Sequence, residues 1–343
     1  MLMRERLSEK TLSQQVSAMI EGAPFDDAPR YETSMESELI SYASRRDPRW
    51  KRWTMRAIEN LSGRRRLLPI YRTWRTKVAG KKPRVMNELL DMVGTRLDIN
   101  CGNSEAAPWP VTVSAHVPLV IVANHPFGIG DGIAILALAE QLNRPFRILA
   151  NSDFMRVPEI RQWALPIDFS GSRAAIKTNI ESRNAARRLL RNGVTIVVFP
   201  AGGVATAEYL KGKAEELPWK TFTARLIQQA QAAVLPVYFE GQNSPLFHFV
   251  SRYSLTVRLA LMVSELRNFI GATVRVRVGA VVPFAELGAG ADRQRLTLEL
   301  YARVHQLAPG SGRMPLHELR PRPVEARRRF PWDPPPQRTK AEA

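Results

Sequence analysis

ValIleValAlaAsnHisProPheGlyIleGlyAspGly, residues 120–132, begins as an unbroken apolar run and ends as a glycine-rich turn. A short apolar run of β-branched residues bounded by turn signals reads as a fully buried strand. Pro126, Gly128 and Gly130 then punctuate a tight turn, and Asp131 opens a helix. A strand that runs into a turn and then a helix is the unit of an α/β sheet. In such sheets ligands bind outside the carboxyl ends of the strands. His125 therefore stands where chemistry is normally done. An imidazole with an ordinary pKa of about 6.5 suits proton transfer near neutral pH. The turn can fold Asp131 back onto the ring, where a carboxylate on one nitrogen fixes the tautomer and leaves the other free to take a proton. The plainer alternative is that Asp131 merely caps the helix.

Working outward, short apolar strands alternate with helical patterns. Strands are predicted over residues 119–123, 146–150, 195–199, 234–239 and 273–282. Helices are predicted over 132–142, 174–191, 222–232, 256–269 and 296–306. This alternation predicts the α/β class: one domain over residues 90–310, with a mixed, mostly parallel sheet flanked by helices. Two further strands run into polar turns. ThrIleValValPheProAlaGlyGlyVal, residues 195–204, ends in a Pro-Gly-Gly turn of the kind that exposes backbone N–H groups to phosphate or an oxyanion. ValLeuProValTyrPheGluGlyGlnAsnSer, residues 234–244, carries Pro236 near its start. No Gly-x-Ser-x-Gly nucleophile elbow is present.

The three blocks together, AsnHisProPheGlyIleGlyAspGly, PheProAlaGlyGly and LeuProValTyrPheGluGlyGlnAsnSer, resemble the lysophospholipid or glycerolipid acyltransferases in order and separation. The resemblance covers roughly residues 55–285. It is closest to the bacterial hemolysin-like branch that includes lyso-ornithine lipid acyltransferases, which shares the five-residue spacing between His and Asp. It implies an O-acyltransferase that moves an acyl group from acyl-CoA or acyl-carrier protein to the hydroxyl of a lyso-lipid, with no further cofactor, no metal and no acyl-enzyme. It implies His125 as general base and Asp131 as its partner. Asn124, Phe127, Gly128, Phe199, Pro200, Gly202 and Gly203 are the expected substrate contacts. The second block departs from the family, because Gly203 and Ala205 stand near the places of the usual acid, Arg and Ser. Relatives that acylate glycerol phosphates hold a phosphate-binding Arg near the position of Arg173, within LeuProIleAspPheSerGlySerArg.

Charge supports a peripheral site of action. The chain holds 50 Lys plus Arg against 32 Asp plus Glu, a net +18, which favours an anionic partner: nucleic acid, an anionic membrane face or an anionic small molecule. Fifteen basic residues against two acids fall in residues 45–84, interleaved with Trp50, Trp53, Tyr71 and Trp74. Aromatics and cations at helical spacing suit helices lying in a headgroup region, so 45–89 is expected to face an anionic membrane through Trp50, Trp53, Arg52, Arg56 and Trp74. Core packing of the same helices is the alternative. Residues 1–44 are polar and weakly patterned. The tail over 311–343, rich in Pro and Arg, is expected to be disordered. No apolar run approaches the roughly 20 residues of a spanning helix, which suggests action from the cytoplasmic face of the inner membrane. The single cysteine, Cys101, excludes a disulfide framework. No histidine pair shows metal-ligand spacing. A nucleic-acid binder lacks its motifs here and stays a minor reading, beside a non-catalytic lipid-binding relative.

Overall fold

The computed structural model describes residues 48–323, apart from 62, 102–108, 210–211, 289–291 and 313, together with residues 41 and 330. The polar segment 1–44, Ser41 excepted, and the tail from 331 onward lie outside the described residues.

Three helices come first: α1 (Arg49–Leu61), α2 (Arg64–Lys77) and α3 (Val85–Met92). A seven-stranded sheet follows, built from β1 (Arg96–Cys101), β2 (Leu119–Ala123), β3 (Phe146–Asn151), β4 (Ala164–Ile167), β5 (Thr195–Val198), β8 (Ala233–Phe239) and β9 (Thr273–Val278) in the order β1-β9-β8-β2-β5-β3-β4. Every pairing is parallel except β8 with β9. A two-stranded antiparallel ribbon, β6 (Thr206–Ala207) and β7 (Ala214–Glu215), lies between β5 and β8 in the chain. The helices are α4 (Ile129–Gln141), α5 (Arg173–Arg191), α6 (Phe222–Ala230), α7 (Pro245–Ser251), α8 (Leu255–Phe269) and α9 (Arg293–His305).

The sheet is covered on both faces, which is why β2 and β8 are buried along their whole lengths. One layer joins α4 and the end of α8 to alternate residues of β2 and β8, including Leu119, Ile121, Leu235 and Val237. The other joins α5, α6 and α9 to Val120, Val122, Ile196 and Val234. The predicted strands and helices are all present, with ends shifted by a few residues.

The largest shift has a physical cause. The last strand was expected to reach Val282, but β9 stops at Val278. Pro236 sits inside β8 and has no N–H for the ladder. Its neighbour turns away there, with the Gly279 N–H donating to the Pro236 carbonyl at 2.9 Å. A side chain at Gly279 would lie 2.8 Å from the Pro236 ring. Pairing resumes only at Val282, which exchanges two hydrogen bonds with Val234.

The N-terminal helices divide differently from expectation. Trp50 and Trp53 on α1 are 71% and 74% exposed, while Met55 on the opposite side is buried against the domain. Helix α1 packs on α8. Trp74 does not face outward, as the membrane-facing expectation required: it is 3% exposed and its indole N–H donates to the Val85 carbonyl at 3.2 Å. Leu67, Trp74 and Val78 recur at helical spacing and form the face that α2 turns to the core. Arg52 and Arg56 are half-buried. The described part of the expected disordered tail is also placed against the domain. Arg322 meets Glu208 at 2.9 Å and Glu215 at 3.6 Å, so acidic partners hold that segment down.

Replacing Trp74 by Ala is expected to cost about 3–5 kcal/mol. Replacing Trp53 by Ala is expected to cost less than about 0.5 kcal/mol, as for most surface changes. Urea denaturation of the two variants checks this contrast. His248 on α7 gives a second expectation. It is buried and its Nδ1 accepts the Ala207 N–H at 3.2 Å. Burial first, then the Arg258 charge, lowers its pKa from 6.5 to about 4. Between these values the unfolded chain binds more protons than the folded one, so stability is lost as pH falls from about 6.5 to about 4. His248→Asn, whose amide oxygen can accept the same N–H, should flatten that part of a stability-against-pH curve.

Candidate active site

The carboxyl ends of β5, β2 and β8 lie side by side, because Val122 pairs with Val198 and Ala123 with Val237. Each strand end delivers one part of the site. From β2 come Asn124 and His125. The Asn124 amide donates to the Phe239 carbonyl at 3.0 Å and accepts the Phe239 N–H at 2.7 Å. Both ends of this buried side chain are thus spent on fastening β2 to β8. The resemblance makes Asn124 a substrate contact, and in this structure its amide clasps the two strand exits together beneath the site.

His125 follows, with its ring partly exposed. Its Nδ1 lies 2.9 Å from Asp131 Oδ1, and the Asp131 side chain is fully buried. The two atoms are close, but their geometry is not that of an aligned hydrogen bond. Such contacts often tighten only when substrate is present. Asp131 lies in the first turn of α4, where the helix dipole favours a negative charge. Its second oxygen accepts the Phe127 N–H at 2.8 Å. One carboxylate therefore closes the turn and orients the imidazole, so the capping and catalytic readings of Asp131 are compatible.

The turn between them is tightly filled. Gly128 has φ +81°, and a side chain there would meet the Met262 methyl at 1.9 Å and Val204 at 3.1 Å. Only glycine fits without moving Met262. The Phe127 ring reaches across to Gly241, 2.7 Å from where a Cβ would stand.

From β5 comes the second block. The Phe199 ring stacks on His125 with centroids 4.1 Å apart and planes 22° apart. The Ala205 N–H donates to the His125 carbonyl at 2.8 Å, so the turn wraps the histidine. The Gly202 N–H is engaged by the Phe199 carbonyl at 3.0 Å, and Gly203 packs against Leu217. Two of the turn's N–H groups are thus used internally. Pro200 accepts the backbone N–H of Lys220 at 3.1 Å. The Lys220 ammonium stands 4.7 Å from the Phe169 ring centre, beside Gly202. Desolvation, then the Arg183 charge, lowers its pKa from the usual lysine value, although the residue as a whole stays on the surface. Arg173 is exposed at the start of α5, and among the described residues no contact joins it to His125.

Several supporting residues carry no motif in the sequence. Glu216 accepts the His125 backbone N–H at 2.9 Å through one oxygen. Its other oxygen meets His305 Nε2 at 3.1 Å and accepts the Trp219 indole N–H at 3.1 Å. His305 stacks on Tyr301 at 4.0 Å. Burial, then the Glu216 charge, raises the pKa values of Tyr301 and Tyr238, so both phenols stay neutral. On the opposite side buried Arg258 donates to the Val204 carbonyl at 2.8 Å and to the Thr206 hydroxyl at 2.7 Å, pinning the exit of the second turn.

A family model described as Acyltransferase matches residues 113–304, more than half of the chain. The lyso-glycine lipid O-acyltransferase of Phocaeicola vulgatus is 25% identical over 176 residues, 48% of this chain and 58% of that one. That of Bacteroides thetaiotaomicron is 29% identical over 129 residues, 37% and 44% of the two chains. The chain thus spans about half the length of the curated relatives it matches. A crystal structure of the 1-acyl-sn-glycerophosphate (LPA) acyltransferase PlsC from Thermotoga maritima aligns with 86% of this chain and 90% of its own, at 15% identity and a TM-score of 0.41. The strand-end histidine, the carboxylate folded back on it and the glycine turn wrapped around both lie inside the span that the family model covers, and the chain belongs to the acyltransferase family.

Proposed function

We propose that this protein is an O-acyltransferase that moves a fatty acyl group from a thioester to the hydroxyl of a lyso-lipid. The observation that carries the proposal is the His125–Asp131 contact of 2.9 Å at the carboxyl end of β2. With Nδ1 held by the carboxylate, Nε2 is the nitrogen that takes the hydroxyl proton. The lipid oxygen then attacks the thioester carbonyl. The tetrahedral intermediate collapses, the C–S bond breaks, and the imidazolium returns the proton to the departing thiolate. The acyl group passes directly to the acceptor, so no acyl-enzyme forms. Buried Asp131 offsets the charge on the imidazolium, and the Phe199 ring stacked on the imidazole holds its plane.

Acyl-CoA and acyl-carrier protein both supply the required thioester. A lyso-lipid with an amino-acid headgroup, such as a lyso-glycine or lyso-ornithine lipid, suits the acceptor better than a lysophospholipid. Two features favour it: the names of the two curated relatives, and the absence of an arginine in the PheProAlaGlyGlyVal block. The lipid is reached from a membrane surface. Exposed Trp50 and Trp53 dip into headgroups, the neighbouring cations meet anionic lipid, and the site of action is the cytoplasmic face of the inner membrane. Among the described residues no helix is long and apolar enough to cross a membrane.

The assay supplies labelled acyl thioester and a panel of lyso-lipids. His125→Ala is expected to lose about 10²–10⁴-fold in kcat. Asp131→Asn, which keeps the size of the side chain but removes its charge, is expected to lose about as much. Full activity in both variants would refute the mechanism. In a flotation experiment with anionic vesicles, Trp50→Ala combined with Trp53→Ala is expected to lower the bound fraction without changing the denaturation midpoint.

A further inference from the structure

The surface of α5 has a feature that the fold does not use. Ile176 and Ile180, one turn apart, are each more than half exposed. Arg183 continues the same stripe and Arg173 precedes it, and Glu181 is the only acid in the helix. Exposed Phe169 and Lys220 extend the stripe toward the active site. Two of the cations are braced by rings: Lys220 over Phe169 at 4.7 Å and Arg183 over Phe222 at 5.0 Å. Helices that merely cover a sheet expose polar side chains on this face. Adjacent exposed isoleucines rimmed by cations have the composition of a contact surface.

The position of the stripe narrows the partner. Helix α5 packs on the layer with α6 and α9, whereas α1 and α8 cover the other side of the sheet. A flat bilayer seated on the Trp50 and Trp53 side does not also cover α5. The stripe adjoins the active-site turn, because the Lys220 N–H is bonded to Pro200 and Phe199 stacks on His125. A nucleotide phosphate would use the cations but leave the isoleucines bare. An acidic helix with an apolar spine uses both.

We propose that the stripe Arg173–Ile176–Ile180–Arg183, with Phe169 and Lys220, is the docking surface for an acidic acyl-carrier protein that presents its thioester to His125. This rests on the acyl-transfer reading above and selects the donor within it. Opposite charge guides the encounter, so association weakens as salt is raised.

The test uses the full chain and two donors: acyl-carrier protein charged with a long acyl chain, and the same acyl group on pantetheine. Arg183→Glu and, separately, Ile180→Glu are expected to raise the KM for the carrier donor at least tenfold. Their kcat, their turnover of acyl-pantetheine and their vesicle flotation should match the wild type. Equal losses with both donors, or an unchanged carrier KM, would overturn the assignment. Direct binding of the purified carrier, followed by NMR shifts on its helices, separates this inference from the catalytic one. If the wild type turns over neither donor yet binds the carrier, and Arg183→Glu abolishes that binding, the surface stands and the reaction fails. If the wild type does not bind the carrier, or the variants lose vesicle binding instead, the surface assignment fails.

Discussion

One side-chain amide ties the site together. Asn124 donates to and accepts from the main chain of Phe239, locking the exit of β2 to the exit of β8. Both groups are buried, so breaking the pair would leave unsatisfied polar atoms in a dry junction, at about 1–3 kcal/mol each. This junction sets where the chain enters His125. The next residue is the histidine itself, the turn to α4 follows within three residues, and the β5 exit lies alongside through the Val122–Val198 register. A loose β2 exit would misplace the imidazole relative to Asp131 and Phe199 together.

A second support works from behind. The carboxylate of Glu216 bridges the His125 backbone to His305 and Trp219. It links the site to α9, far along the chain. With Asp131 in front and Glu216 behind, His125 is held by one carboxylate through its ring and by another through its main chain. Arg258 does the equivalent for the second turn. The hydrogen bonds of Glu216 and Arg258 offset the desolvation that otherwise costs several kcal/mol per buried ion.

Much of this was legible in the sequence because the central strands are apolar along their whole length and end in turn residues. The α/β class and the strand-end placement of His125 follow from local pattern, whereas the pairing with Asp131 needed the resemblance carried by the three blocks together. The edge strands did not announce themselves. β1 alternates apolar and polar residues, and β4 is four residues long with Pro166 inside it, both features of edges. Trp74 was misread because aromatic and basic residues alternate equally in a membrane-facing helix and in a helix packed on a core. Only the third dimension separates Trp74 from Trp53. Asn124 and Glu216 were not legible in their roles, because each acts on a main-chain group more than 90 residues away.

The central claim is that His125 and Asp131 act as one unit. A double-mutant cycle on kcat with His125→Ala, Asp131→Asn and the double variant tests it most directly. If Asp131 works only through the imidazole, removing it from an enzyme already lacking His125 costs nothing further, and the double variant matches His125→Ala. Losses that multiply, so that the double variant falls below His125→Ala by the full factor seen for Asp131→Asn alone, would contradict the account.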